Sequence, residues 1–180
     1  MINYLINPFY RIAGFKSLTI GFIGVLFLSF ASFRSGTHFN GFSNIDFAKD
    51  SEFVYYAFEH LISWSVFAVL SFLLGLSLSN SRVRAIDFLG TSLLARIPLI
   101  ITPLLRIIPM FQSFLFQSFE MYFIIGIYLL SVVWTIVLLF NGYKISSNLR
   151  NNKLIASFTI GMLVSEIITR VSINLLILKT

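Results

Sequence analysis

The stretch Arg96–Pro109 reads RIPLIITPLLRIIP, and it combines the apolar composition of a membrane helix with residues that such helices avoid. Two of its residues are arginines and three are prolines. A charge inside a membrane is costly unless it is paired or reaches the surface. Each proline removes a backbone donor and kinks or breaks a helix. The composition of the whole chain decides whether this stretch crosses a membrane.

The composition is that of a membrane protein. Of the 180 residues, 57% are hydrophobic and 11% are charged, against about 45–50% and about 25% in soluble domains. A helix needs about 20 mainly apolar residues to cross a bilayer. Five such stretches are present, at residues 17–33, 53–78, 85–109, 121–140 and 154–178. We therefore predict an all-α fold, a single membrane domain over residues 1–180 with five transmembrane helices joined by loops.

The segment before the first span, residues 1–16, is short and amphipathic. We expect it to lie in the membrane interface, with Tyr4, Phe9 and Tyr10 as anchors. An alternative for the first apolar stretch is a cleaved signal peptide, with a small-residue cleavage site at Ser29–Ala31. The many phenylalanines in that stretch favour a retained span.

The basic residues outside the spans predict the orientation. With five spans, one side of the membrane carries seven of them, namely Arg11, Lys16, Arg82, Arg84, Lys144, Arg150 and Lys153. The other side carries three, namely Arg34, Lys49 and Lys179. Because Lys and Arg are enriched in cytoplasmic loops, we expect the N-terminus in the cytoplasm and the C-terminus outside.

Small residues recur at helical spacing in three spans, which favours close packing of helices. The stripes are Gly14, Ser17, Gly21 and Gly24 in the first span, Ser71, Gly75 and Ser79 in the second, and Gly161, Ser165 and Thr169 in the fifth. We interpret them as packing faces and not as ligand sites.

Two ionisable residues lie at similar depth in different spans. Arg96 in the third span and Glu166 in the fifth are each about eleven to thirteen residues from the inner end, or roughly 17–20 Å along a helix. Intramembrane charges mark candidate sites by default. We therefore predict an ion pair between Arg96 and Glu166, with Arg170, one turn beyond Glu166, as a competing or additional partner.

A second polar group is expected nearer the outer surface. Glu59 and His60 come early in the second span, and Arg106 comes late in the third. Together with Arg96, Glu166 and Arg170 they form the candidate intramembrane network. Such a cluster could line a proton or ion path, or it could consist of structural pairs.

The prolines predict that the third span is bent and buried in the bundle. Pro98, Pro103 and Pro109 are the kink residues, and the carbonyls that they free must be satisfied by protein or water at membrane depth. Arg96 and Arg106 precede prolines closely, so their guanidinium groups are suited to that role.

Several classes of function are disfavoured. The net charge of +6 is explained by the excess of Lys and Arg on the side of the membrane that we expect to be cytoplasmic. No basic run indicates nucleic-acid binding. There is no cysteine and there are only two histidines, so no metal or cofactor site is expected. None of the common phosphate-binding, serine-hydrolase or metalloprotease motifs occurs, so we do not expect an enzyme.

Three stretches carry a resemblance to a known family. They are DFLGTSLLARIPLI (Asp87–Ile100), WTIVLLFNGYKISSNLRNNKLIASF (Trp134–Phe158) and NPFYRI (Asn7–Ile12). With its Trp134, Leu138-Leu139, Gly142 and the run from Lys153 to Ala156, the chain resembles the Yip family, five-span membrane proteins named for interaction with Ypt/Rab GTPases, and in particular its short bacterial members.

The resemblance implies five helices, a cytoplasmic N-terminus and a bacterial inner membrane. Eukaryotic members act in vesicle trafficking and carry a long cytoplasmic N-terminal region and an Asp-Leu-Tyr-Gly-Pro motif. Neither is found here, so a Rab-type GTPase is not an expected partner. We expect a non-catalytic scaffold or membrane-organising protein whose partners are lipids, itself or another membrane protein. The alternative is a small transporter or channel using the Arg, Glu and His groups, and a membrane enzyme ranks third.

Overall fold

The computed structural model describes residues 6–41, 43–48, 52–111 and 119–177, with side chains described as far as residue 175. Five helical segments in this part are long and apolar enough to cross a membrane, which confirms the predicted number of spans and indicates an integral membrane protein. Tyr4 and the predicted end of the fifth span at residue 178 lie outside the described residues.

The α-helices are α1 (Phe15–Ser35), α2 (Phe53–Leu78), α3 (Ala85–Leu94), α4 (Ile101–Arg106), α5 (Phe119–Ser147) and α6 (Asn151–Ile177). Short 3-10 helices lie at Pro8–Tyr10, Ile97–Ile100 and Pro109–Phe111, and two strands lie at β1 (Thr37–Phe39) and β2 (Ile45–Phe47). Because α3, the second 3-10 helix and α4 follow each other directly, they form the third span, Ala85–Arg106.

The third span is interrupted near its middle, where α3 gives way to a 3-10 turn before α4 begins. Pro98 lies in the first turn of the 3-10 helix and Pro103 is the third residue of α4. Proline is tolerated there because amides in a first helical turn have no partner within the helix. In the most apolar stretch of the third span 67% of the residues are buried, against 28–39% in the corresponding stretches of the other spans. The third span is therefore the centre of the bundle.

The packing face predicted for the first span is confirmed, and its neighbour is the third span. A Cβ added at Gly21 would lie 2.6 Å from Leu94 N, and one added at Gly24 would lie 2.7 Å from the Ile97 side chain. Glycine therefore lets the two helices touch backbone to backbone, as small residues do in membrane bundles. In the second span, Gly75 meets the ring of Phe88 in the same way, at 2.6 Å.

Phe9 belongs to the core and is not an interfacial anchor, which corrects the expectation from sequence. Its side chain is 1% exposed and packs in an aromatic cluster with Phe88 and Tyr143. Tyr10, its neighbour, is 78% exposed. The 3-10 turn at Pro8–Tyr10 points the two rings in different directions, which the sequence pattern does not reveal.

The fourth span, α5, continues to Ser147, seven residues beyond the end expected at residue 140. Gly142 does not end it, because that glycine serves packing: a Cβ there would lie 2.8 Å from the Cβ of Thr91 in α3. The turn into α6 is short and uses asparagine, with positive φ at Asn148 and Asn151, 53° and 54°. Asparagine tolerates this conformation better than most residues.

The connection between α1 and α2 is a β-hairpin and not a loop, so the fold is not purely helical. Strands β1 and β2 pair antiparallel, with His38 opposite Asp46. All three residues of β1 are buried. Helix α1 ends at Ser35 and is followed by Gly36, whose φ of 62° is the left-handed conformation that commonly stops helices. The chain then packs against one end of the bundle as a hairpin, and we call residues 37–41 and 43–47 the hairpin.

Candidate functional site

A row of buried polar side chains lies on the face of α2 that packs into the bundle, next to the hairpin. Glu59, His60 and Ser63 are all buried and lie on one side of the helix because residues three or four apart are neighbours there. Each has a partner on a different element. This row contains two residues of the predicted network, Glu59 and His60, and adds Ser63.

Glu59 holds the first strand of the hairpin. Its Oε1 lies 2.7 Å from Nδ1 of His38, and its Oε2 accepts a hydrogen bond of 3.0 Å from the backbone amide of Phe39. The His38 ring stacks on Tyr56, with the ring centroids 4.2 Å apart. The Tyr56 hydroxyl in turn donates to the carbonyl of Ala48, just after β2. The carboxylate therefore satisfies two buried donors of the hairpin at once.

Arg106, the last residue of the third span, also binds the hairpin. Its side chain is buried, and its Nη1 donates to the carbonyl of Gly36 at 3.2 Å and to the Thr37 hydroxyl at 3.4 Å. The guanidinium carbon lies 3.9 Å from the centroid of the Phe47 ring, a cation–π contact. Arg106 thus contacts both strands. A snorkelling arginine would instead extend its charge to water.

Glu166 in α6 contacts the tip of the hairpin. Its Oε1 accepts 2.7 Å and 3.3 Å hydrogen bonds from the hydroxyl and amide of Ser43. Arg170, one turn further, donates to the same Glu166 oxygen at 3.1 Å and to the Ser43 hydroxyl at 2.9 Å. The tip fits closely: a Cβ added at Gly41, where φ is 120°, would lie 2.6 Å from Glu166 Oε2.

Arg96 is fully buried at the break in the third span, where its Nη1 donates to the Ser63 hydroxyl at 2.8 Å. Nearby, His60 Nε2 lies 3.3 Å from the Ser32 hydroxyl of α1. The ion pair that the structure gives to Glu166 is with Arg170, at 3.1 Å. The direct pair between Arg96 and Glu166 stays a prediction.

The hairpin is thus the common partner of residues that the sequence placed in one network. Glu59 of α2, Arg106 of the third span and Glu166 of α6 each hold a different part of it. We call these three residues the hairpin clamp. Each contact is charge-assisted, the stronger class of hydrogen bond.

Sequence reasoning missed the residues that the clamp contacts, namely Gly36, Thr37, His38, Phe39, Ser43 and Phe47. One local signal was present: the dipeptide Asn40-Gly41 stands between THF and IDF. An Asn-Gly pair between short β-prone runs is a strong indication of a hairpin. The bundle residues that bind the hairpin carry no comparable local pattern, since they lie on helices that are distant from it in sequence.

Substituting Glu166→Gln is expected to loosen the tip of the hairpin without unfolding the bundle. The neutral amide loses the charge-assisted bonds to Ser43 and Arg170. We expect amide hydrogens in residues 43–48 to exchange about threefold to tenfold faster, measured by hydrogen exchange with mass spectrometry.

The matched control is Asp87→Asn, which breaks the Arg84–Asp87 pair at the opposite end of the third span. It should leave exchange in the hairpin unchanged. Equal acceleration by both substitutions would show that the hairpin responds to general loosening and not to Glu166.

Among the described residues, no group of three or more His, Cys, Asp or Glu side chains is arranged to hold a metal ion. Comparisons with family models, with curated proteins and with solved structures gave no match to this chain.

Proposed function

We propose that this protein is a non-catalytic scaffold or membrane-organising protein that works through contacts of its helices with lipids, with itself or with another membrane protein. The observation that carries the proposal is the hairpin clamp. Its three charged side chains are used to attach one element of the fold to three helices. Charged residues inside a membrane are costly and so usually have a role. Holding a structural element in place is such a role, and it does not involve a transported solute.

The lateral surface of the bundle, formed by the exposed sides of the spans, supports the same role. Large apolar side chains are exposed along the spans, for example Phe22, Phe27, Leu73, Leu130 and Ile167. Apolar residues on the outside of a membrane bundle face lipid tails or a neighbouring helix. The proposal therefore assigns the function to this surface.

The proposal includes a bacterial cytoplasmic membrane, with the N-terminus inside, as the charge distribution and the resemblance to short Yip family members indicate. What supports the family assignment is the set of three stretches from which the resemblance was drawn. A Rab-type GTPase is left out, because the Asp-Leu-Tyr-Gly-Pro motif is missing from the sequence.

A transporter or channel is the second candidate, and one observation favours it. Nδ1 of His60 is buried and has no hydrogen-bond partner among the described residues. His60 lies in the row between the hairpin and Ser63, the partner of Arg96. A histidine in such a row is a common element of proton relays in membrane proteins.

Flux through reconstituted vesicles separates the two candidates. We expect vesicles containing the wild-type protein to dissipate imposed gradients of H⁺, Na⁺, K⁺ and Cl⁻ at the rate of protein-free vesicles, with pH-sensitive and ion-sensitive dyes as the readout. The variants His60→Gln and Glu166→Gln should give the same rates. Faster dissipation by the wild type that His60→Gln abolishes would replace the scaffold proposal with transport.

A positive readout for the scaffold is the shape of the vesicles. A membrane-organising protein should change the distribution of vesicle diameters in proportion to the amount of protein reconstituted, as measured by electron cryomicroscopy. A distribution equal to that of protein-free vesicles at every protein-to-lipid ratio would contradict the membrane-organising role.

A further inference from the structure

A groove lies at the end of the bundle opposite the hairpin. It is formed where α2 ends and where the short turn leads from α5 into α6, and its volume is about 390 Å³. We call it the basic groove, and its polar lining is Ser79, Asn80, Ser81, Asn148, Arg150 and Lys153. Its position at the ends of membrane-spanning helices places it at the level of lipid headgroups.

The two cations of the groove are not neutralised within the protein. Neither Arg150 nor Lys153 takes part in an ion pair in the described part of the chain, and none of the residues lining the groove is acidic. Arg84, on the same side of the bundle, differs because its Nε lies 2.9 Å from Asp87. The groove therefore carries two positive charges that no acidic side chain in its lining neutralises.

The neutral part of the lining supplies hydrogen-bonding groups. The hydroxyls of Ser79 and Ser81 lie 2.8 Å apart, and the Ser81 amide donates to the Ser79 hydroxyl at 3.1 Å, which shapes this wall. Serine hydroxyls and asparagine amides donate to anionic oxygens. Arginine matches phosphate with paired donors, and lysine binds it as a point charge.

We propose that the basic groove binds a phosphate group, and that its source is the headgroup of an anionic phospholipid. The volume falls within the roughly 300–1,000 Å³ of small-ligand sites. Basic pockets between the ends of membrane helices bind anionic headgroups on the cytoplasmic side, and the charge distribution predicts that this face is cytoplasmic. The choline cation of a zwitterionic lipid is disfavoured beside Arg150 and Lys153.

Native mass spectrometry of the full chain in detergent tests the site, with phosphatidylglycerol, phosphatidylcholine and inorganic phosphate as probes. We expect the wild type to bind phosphatidylglycerol more tightly than phosphatidylcholine. The double variant Arg150→Gln/Lys153→Gln should bind phosphatidylglycerol about twenty-fivefold more weakly, roughly fivefold for each basic residue removed.

The matched control is Arg82→Gln/Lys144→Gln, which removes the same charge from exposed residues of the same face that do not line the groove. It should keep the affinity of the wild type. Equal weakening by both double variants, or equal affinity of the wild type for the two lipids, would overturn the site. Because all four residues are exposed, both double variants should melt at the temperature of the wild type, and lost affinity then reports binding.

Inorganic phosphate distinguishes the two sources. Displacement of phosphatidylglycerol only at a large excess of phosphate supports the lipid headgroup, whereas displacement at equal concentration overturns the lipid and assigns the groove to free phosphate. The inference rests on the proposed role through lipid contacts, but different results would overturn the groove and that role. Transport in the vesicle assay would overturn that role without changing the lipid affinities, and a missing lipid preference would overturn the groove alone.

Discussion

Replacing Gly21 with valine is expected to cost about 3 kcal/mol or more of stability, because overpacking a tight interface forces the backbone to move. A Cβ at this position would lie 2.6 Å from Leu94 N and 2.9 Å from the carbonyl carbon of Leu93. Backbone atoms cannot turn aside as a side chain can, so α1 must separate from the third span. The thermal melting temperature in detergent, followed by tryptophan fluorescence, measures the loss.

The matched control is Gly126→Val in α5. A Cβ added at Gly126 meets nothing within 4 Å, so the substitution changes the surface and not the packing. Both variants remove a helical glycine, and both place a β-branched residue in an apolar helix. If Gly21→Val melted at the same temperature as Gly126→Val, the close contact between α1 and the third span would be wrong.

Replacing Glu59 with alanine is the second large effect that we expect, with a cost of about 3 kcal/mol. The substitution leaves two buried donors, Nδ1 of His38 and the amide of Phe39, without their acceptor, and an unsatisfied buried group costs about 1–3 kcal/mol. The hairpin should detach first, so its amide hydrogens should exchange faster than those of the spans. Hydrogen exchange with mass spectrometry and the melting temperature measure the two effects.

Glu52→Ala is the matched control, since Glu52 lies just before the same helix, is exposed, and makes no capping hydrogen bond with its side chain. It should leave the exchange of the hairpin and the melting temperature unchanged. Glu59→Gln should fall between the two, because the amide keeps one oxygen as an acceptor. Protection of the hairpin that survives Glu59→Ala would show that Glu59 does not hold it.

The features that sequence predicted correctly are those that depend on neighbouring residues. The five spans follow from mainly apolar stretches of about 20 residues or more, and the packing face of α1 follows from the spacing of Gly21 and Gly24. Helical spacing shows which residues share a face, but it does not show what that face meets. The third span became the partner of α1 only in the folded bundle, where the glycines approach Leu94 and Ile97.

For the ionisable residues, too, the sequence predicted the local features and the structure decided the partners. The sequence placed Glu166 and Arg96 at equal depth, and it also placed Arg170 one turn from Glu166. The structure shows the pair that is local in sequence, Arg170 with Glu166, and it adds Ser43 from the hairpin. Depth in the membrane follows from the position of a residue in its span. The rotation of each helix about its axis depends on the packing of all the others.

By itself, the sequence determined that this chain is a membrane bundle of five helices with charged residues buried inside it, because hydropathy and length act along each segment independently. Only the tertiary structure decided what those charges do. Glu59, Arg106 and Glu166 come from three helices far apart in sequence, and they meet on a hairpin whose short strands would not be stable alone. Buried polar groups must find partners, and which partners they find is a property of the assembled bundle.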